Sequence, residues 1–365
     1  MAAFTTIDDP SAYFKVQLYT GNGSADHAIT FDDTDTDMQP DMVWIKNRDA
    51  TDHHCVFDSV RGVTKVVFWS GNSAFGKAEQ TDTDTLDAFQ SDGFKVDADV
   101  KVNTNAEKYV AWCWKAGTTS GINTTGADIT LDSYSFNQTA GFSIILYEGN
   151  KTDDQQIPHG LGAVPHMIIL DVLTGENVTV QHQGQGGAIP GDPYTDYLHL
   201  NSGSKAYDDA GPWSDEAPTS VLFTVGANDG TNSSGNDIVV FSWSAKQGYS
   251  KFGLYEGNAN ANGTFVYLGF RPALVICKGI DATSTGWLMF DNKRLGYNAD
   301  NNFLHPSAQS GETAVVEDTT NCIDMLSNGF KCRISSDPNV GSTYVYCAWA
   351  ESPFVNSSGV PTNAR

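Results

Sequence analysis

Carboxylates, histidines and tryptophans are the residues in this 365-residue chain whose types could do chemistry. In the run Asp32-Asp33-Thr34-Asp35-Thr36-Asp37, Asp33, Asp35 and Asp37 stand at alternate positions. That spacing can wrap a hard cation such as calcium. Counted from Asp33 as an EF-hand loop, however, Met38 falls where Gly is required and Trp44 where Glu is required. A solvated acidic loop is the better reading, and no metal is expected. His53-His54 beside Cys55 invites zinc, but adjacent strand residues point to opposite faces and cannot share an ion without a bend. Asp58 with Arg61, echoed by Asp291 with Arg294, could be an active-site ion pair. Its recurrence favours a structural salt bridge or turn-fixing hydrogen bond.

GxSxG, GxxxxGK[ST], HExxH and HxH are all missing. His159-Gly160-Leu161-Gly162 precedes a β pattern rather than a helix, so a turn is expected there, not a phosphate loop. No catalytic residue and no cofactor is expected, and the chain is not expected to be an enzyme. The carboxylate pair of a glycosidase is set by the fold, not by sequence spacing. Eight tryptophans could supply a sugar-stacking face. Trp112, Trp243 and Trp349 occupy equivalent repeat positions and are expected in the core. Trp69, Trp213 and Trp287 lie outside the shared strands and are the candidates for surface ligand aromatics.

The elements that must position these residues come in threes. Leu18-Tyr19-Thr20-Gly21-Asn22 recurs as Leu146-Tyr147-Glu148-Gly149-Asn150 and as Leu254-Tyr255-Glu256-Gly257-Asn258. A Pro and an apolar run follow each (Pro40, Pro165, Pro272), and each unit closes on an aromatic strand ending near Trp114, Trp243 or Trp349. Phe14-Lys15-Val16-Gln17-Leu18-Tyr19 alternates apolar with polar residues, as a half-buried strand does. Asn22-Gly23 and Asp92-Gly93 are tight-turn dipeptides. The expected fold is all-β: three tandem antiparallel β-sandwich, jelly-roll-like repeats with short terminal arms. The expected boundaries are an N-terminal arm at 1–13, repeats at 14–117, 141–247 and 248–350, a linker or hairpin at 118–140, and an extended tail at 351–365.

Net charge is -23, with 44 acidic against 21 basic residues. So acidic a surface repels phosphate backbones, and no nucleic-acid partner is expected. The first ten residues lack the features of a signal peptide, and no run of 18 apolar residues exists, so no membrane insertion is expected. Of six cysteines, Cys113, Cys277 and Cys347 sit in apolar strand patterns as small hydrophobes. This agrees with assembly in a reducing cytoplasm.

Asp41-Met42-Val43-Trp44-Ile45-Lys46-Asn47-Arg48, Gly248-Tyr249-Ser250-Lys251-Phe252-Gly253, Leu326-Ser327-Asn328-Gly329-Phe330-Lys331 and the tail from Pro353 carry a resemblance. The chain resembles, end to end, a family of tailed-phage proteins, many of them marine, labelled virion structural or tail-fibre-like. The resemblance implies a virion protein on the particle exterior, assembled in the host bacterial cytoplasm, with other virion proteins as partners. It places the chain in a tail fibre or tail tip that contributes to host adsorption. The alternatives are a capsid decoration or head-fibre protein, and a glycan-binding or glycan-cleaving module. Homo-oligomers and a host cell-surface glycan are the further candidate partners.

Overall fold

Strands dominate because β-branched and aromatic residues recur in short runs between Gly, Asn and Asp turns. The computed structural model describes residues 4–31, 36–70, 78–183, 194–282, 285–294, 302–309 and 322–362. It is 43% strand and 3% helical, an all-β fold.

In the first unit the strands are β1 (Phe14–Thr20), β2 (His27–Thr30), β3 (Met42–Asn47), β4 (Cys55–Asp58), β5 (Lys65–Phe68), β6 (Gln80–Thr81), β7 (Leu86–Gln90), β8 (Gly93–Val96) and β9 (Lys108–Trp114). They form a large sheet, β1-β9-β3-β4-β5-β6, and a small one, β2-β8-β7. The second unit has β10 (Leu131–Asn137), β11 (Phe142–Glu148), β12 (Gln155–Pro158), β13 (Met167–Val172), β14 (Thr179–His182), β15 (Asp196–His199), β16 (Tyr207–Asp208), β17 (Leu222–Val225) and β18 (Asp237–Trp243). Its large sheet is β10-β11-β18-β13-β14-β15-β16 and its small one β12-β17. The third unit has β19 (Ser250–Glu256), β20 (Phe265–Tyr267), β21 (Phe270–Gly279), β22 (Trp287–Asp291), β23 (Ile323–Leu326), β24 (Gly329–Cys332) and β25 (Thr343–Pro353), ordered β19-β25-β21-β22 and β20-β24-β23.

Registers superpose the units. Phe14 pairs with Trp114, Phe142 with Trp243 and Ser250 with Trp349, while Met42, Met167 and Leu274 lie across from the same three tryptophans. Trp114 is therefore the partner of Trp243 and Trp349. The alignment on Trp112 is corrected by two residues: Trp112 is buried but matches Phe241 and Cys347.

All six residues of β3 and all six of β13 are buried, so these strands are covered on both faces. One face of each large sheet packs against its own small sheet, giving three outer cores. The opposite faces meet in one central core shared by all three units. The units are thus fused around a common interior rather than strung as separate beads. Trp114, Trp243 and Trp349 form a triangle there, with centroids 5.3 to 6.0 Å apart and planes inclined by 68 to 75°. Edge-to-face contact is the favoured geometry for aromatic pairs. The indole N–H groups have no hydrogen-bond partner among the described residues, and a neighbouring ring face is the acceptor such packing offers.

The far end of each unit is closed by a shared device. Asn103, Asn232 and Asn339 are wholly buried and accept, at Oδ1, the backbone N–H of Asn22, Asn150 and Asn258 at 2.8 to 3.1 Å. Their Nδ2 groups donate back to the Oδ1 of those residues and to a carbonyl two positions further on. Tyr19, Tyr147 and Tyr255 each donate to the carbonyl preceding the buried Asn. Gly21, Gly149 and Gly257 are glycines because a Cβ there would lie 1.9 to 2.3 Å from a backbone oxygen. Two of the buried asparagines end the four-residue helices α1 (Val100–Asn103) and α2 (Asp229–Asn232).

The segment 118–140 contributes a hairpin strand, β10, to the second unit. The described parts of both arms make contacts with the body or with each other. Ile7 is 3% exposed in the central core, Thr5 is buried, and Asp8 accepts the N–H of Ser357 at 2.7 Å. Val355 bridges Pro361, turning the tail back on itself. An apolar side chain at Ile7 gains more from the central core than from water, so the chain orders its own arm.

Candidate functional site

Most residues singled out for chemistry turn out to be framework. Asp33 and Asp35 lie outside the described residues, and Asp37 is exposed. His53 and His54 diverge: the His53 Nδ1 meets Ser70 Oγ at 3.2 Å, and the buried His54 Nδ1 accepts from Trp44 Nε1 at 2.9 Å. Desolvation holds His54 neutral, well below the usual histidine range. The Asp-Arg pairs are duplicates. Oδ1 of Asp58 accepts the N–H groups of Val60 and Arg61, and Oδ1 of Asp291 those of Lys293 and Arg294. In both, Arg Nε donates to Oδ2 at 2.6 Å, with the side chains buried. Both pairs therefore fix turns.

Trp69, Trp213 and Trp287 are not surface aromatics; they are 0 to 1% exposed. Trp69 Nε1 donates across the unit boundary to Asp171 Oδ2 at 3.2 Å, and Trp287 Nε1 donates to His199 O at 2.9 Å. Trp213 fills the outer core of the second unit. Trp69 and Trp287 thus sit at unit boundaries, which fusion of the units buries, while Trp213 is buried within its own unit.

Among the described residues two surfaces stand out, at opposite ends of the body. At the tryptophan end the described parts of the two terminal arms converge. A groove of about 390 Å³ is lined by Phe4, Lys251, Tyr267, Phe354 and neighbours from the junction between the second and third units. Phe4, Tyr267 and Val360 are about half exposed. Lys251 Nζ donates to Tyr267 O at 2.6 Å and sits 5.4 Å from the Tyr267 ring centroid. Desolvation lowers the pKa of Lys246 and of Lys251. The groove is an exposed apolar surface with one cation, Lys251, in its lining, the kind of patch that marks interaction sites on proteins.

At the asparagine end of the second unit lies a cleft of about 220 Å³. Seven-residue strands separate the two ends by about 20 Å. Thr179 pairs with His199, and Tyr197 with Tyr207, so strand register sets the lining. Tyr197 and Tyr207 stack at 5.1 Å and 14°, and His199 meets both rings at 5.2 Å. Burial first, then Asp209 and Tyr207, raise the pKa of Tyr197, so the phenol stays protonated. Glu176, Asn177, Asn228 and Asp229 supply the polar rim. The Asn228 side chain caps α2 by accepting the Gly230 N–H at 2.8 Å.

Sequence reasoning missed this cleft. A sequence signal for it is that β15 and β16 carry Tyr197, His199 and Tyr207 where the matching first-unit positions hold Val66, Phe68 and Gln80.

Three large sheets around one core, with a groove at one end and a polar aromatic cleft at the other, make an all-β body. The chain belongs to the family described as a domain of unknown function (DUF7483), which matches residues 9–353. That single match spans all three units, in keeping with their common core. No curated protein and no solved structure matches the chain.

Proposed function

We propose that this chain is a structural protein on the exterior of a tailed-phage particle, a tail-fibre or tail-tip module that contributes to host adsorption. The observation that carries the reading is polarity. The described parts of both terminal arms and the exposed Phe4, Tyr267 and Val360 gather at one end, suited to docking on another virion protein, and the polar cleft faces away from it. The sequence resemblance to tail-fibre-like virion proteins supports the same role, and three units on one core give the rigidity an exposed particle protein needs. The chain acts by binding rather than by catalysis.

Immunogold labelling and a reconstruction of the particle test this. Around a dozen copies at the tail vertex are expected. Hundreds of copies on icosahedral positions would replace the tail by a capsid-decoration role, and absence from purified particles would overturn the virion reading. Release of oligosaccharides from host envelope polysaccharide by the purified chain would overturn the non-enzymatic one.

A further inference from the structure

The second unit departs from its neighbours in one respect that opens a site. The first and third units cover the outer part of the large sheet with a three-stranded small sheet, in which Leu86 of β7 and Met325 of β23 reach the outer cores. Among the described residues, the small sheet of the second unit has two strands, β12 and β17. At the positions this leaves less covered, the first unit's buried Val66 and Phe68 are replaced by the half-buried Tyr197 and His199. At the start of the short helix, Asp229 stands where the first unit has Val100. Hydrophobic cover and polar aromatic lining have been exchanged together.

We propose that this cleft binds a neutral or N-acetylated pyranose of a surface glycan, which deepens the adsorption reading and rests on it for its biological meaning. Its volume of about 220 Å³ accommodates one sugar ring. It lies below the ~300 Å³ at which pockets for drug-sized ligands begin. Tyr197 is held by its stack on Tyr207 and by the His199 edge, so it is a rigid aromatic wall. The apolar C–H face of a pyranose packs on such a ring, which adds little conformational entropy cost on binding. The amides of Asn177 and Asn228 and the carboxylates of Glu176 and Asp229 combine donors with paired acceptors, the complement of vicinal hydroxyls. The rim also selects by charge. Asp229 is ion-paired with Lys151, which leaves Glu176 as the uncompensated carboxylate among the described residues of the rim. Uronic or other acidic sugars would bring a second anion beside it at a cost in affinity.

The test uses the purified full chain with methyl glycosides of glucose, galactose, N-acetylglucosamine and glucuronic acid, read by saturation-transfer NMR and calorimetry with and without calcium. At least one neutral or N-acetylated glycoside should bind at least tenfold more tightly than the glucuronide, independently of calcium. Tyr197→Ala and the exposed Glu176→Ala should each weaken binding at least tenfold, and Tyr197→Phe should keep most of it. Unchanged thermal unfolding of Glu176→Ala guards against a folding artefact. The proposal is overturned if no glycoside binds, if the glucuronide binds equally well, if calcium is required, or if binding survives both alanine variants. None of these outcomes depends on where the chain sits in the particle, so the adsorption reading stands or falls separately.

Discussion

Asn103 Oδ1 accepts the backbone N–H of Asn22 at 2.9 Å, and Asn103 Nδ2 returns a bond to Asn22 Oδ1 at 3.1 Å. The same two-way clasp joins Asn232 to Asn150 and Asn339 to Asn258. The repeated Leu-Tyr-x-Gly-Asn sequence is the visible half of this device. The Asn positions a turn, the Gly lets two backbones approach, and the Tyr hydroxyl locks the carbonyl next door.

Replacing the buried half should be costly. Asn103→Ala leaves the Asn22 N–H and two carbonyl groups without their partner. A loss of about 1–3 kcal/mol is expected from urea denaturation, with Asn232→Ala and Asn339→Ala of similar size.

Trp114→Ala should cost about 3–5 kcal/mol as a large-to-small core change. Because Trp114 and Trp243 touch at 6.0 Å, the double variant should depart from additivity by about 0.5–3 kcal/mol. Trp114 paired with a distant change such as Asn339→Ala should be additive within ~0.5 kcal/mol in the same chemical denaturation series.

Asp291→Ala should destabilise by about 3–5 kcal/mol, since it strands the buried Arg294 guanidinium. It also removes the acceptor of Trp112 Nε1, 3.2 Å away in another unit. An Asp291→Leu, Arg294→Met double variant should recover a large part of that loss. Thermal unfolding of the three proteins decides it.

Asp171 gives the pH dependence a sign. Desolvation pushes its carboxyl up to about 7, against the opposing pull of the Arg61 guanidinium and the Trp69 N–H. A raised carboxyl pKa means the folded state holds its proton more tightly than the unfolded one. The contribution is therefore complete below about pH 4 and is lost as pH rises through 7. Asp171→Asn should gain stability relative to the parent as pH rises from 4 to 8, measured as the change in urea midpoint at each pH.

Much of the framework was legible because it is local. Gly21, Asn22, Tyr19 and the alternating strand residues announce themselves in sequence. Period-2 alternation fixed the face of Trp112 correctly but not its position, since a shift of two residues preserves the face. That is why Trp112 and Trp114 were interchanged. Trp69 and Trp287 were misplaced because their cover comes from Asp171 and His199, in other units. The Tyr197–Tyr207 stack was hidden because strand pairing joins those rings and their spacing in the chain carries no motif.

Lys46 and Lys278 occupy equivalent places on the central faces of the first and third units, where the second carries Asp171. A symmetric trimer of identical subunits would repeat one charge three times about its axis and could fall apart on dilution. Joining the three units in one polypeptide removes both constraints. Stoichiometry is written into the covalent chain, and each third of the ring is free to mutate alone. Asymmetry can therefore be acquired one unit at a time, and a feature confined to one unit appears once per body.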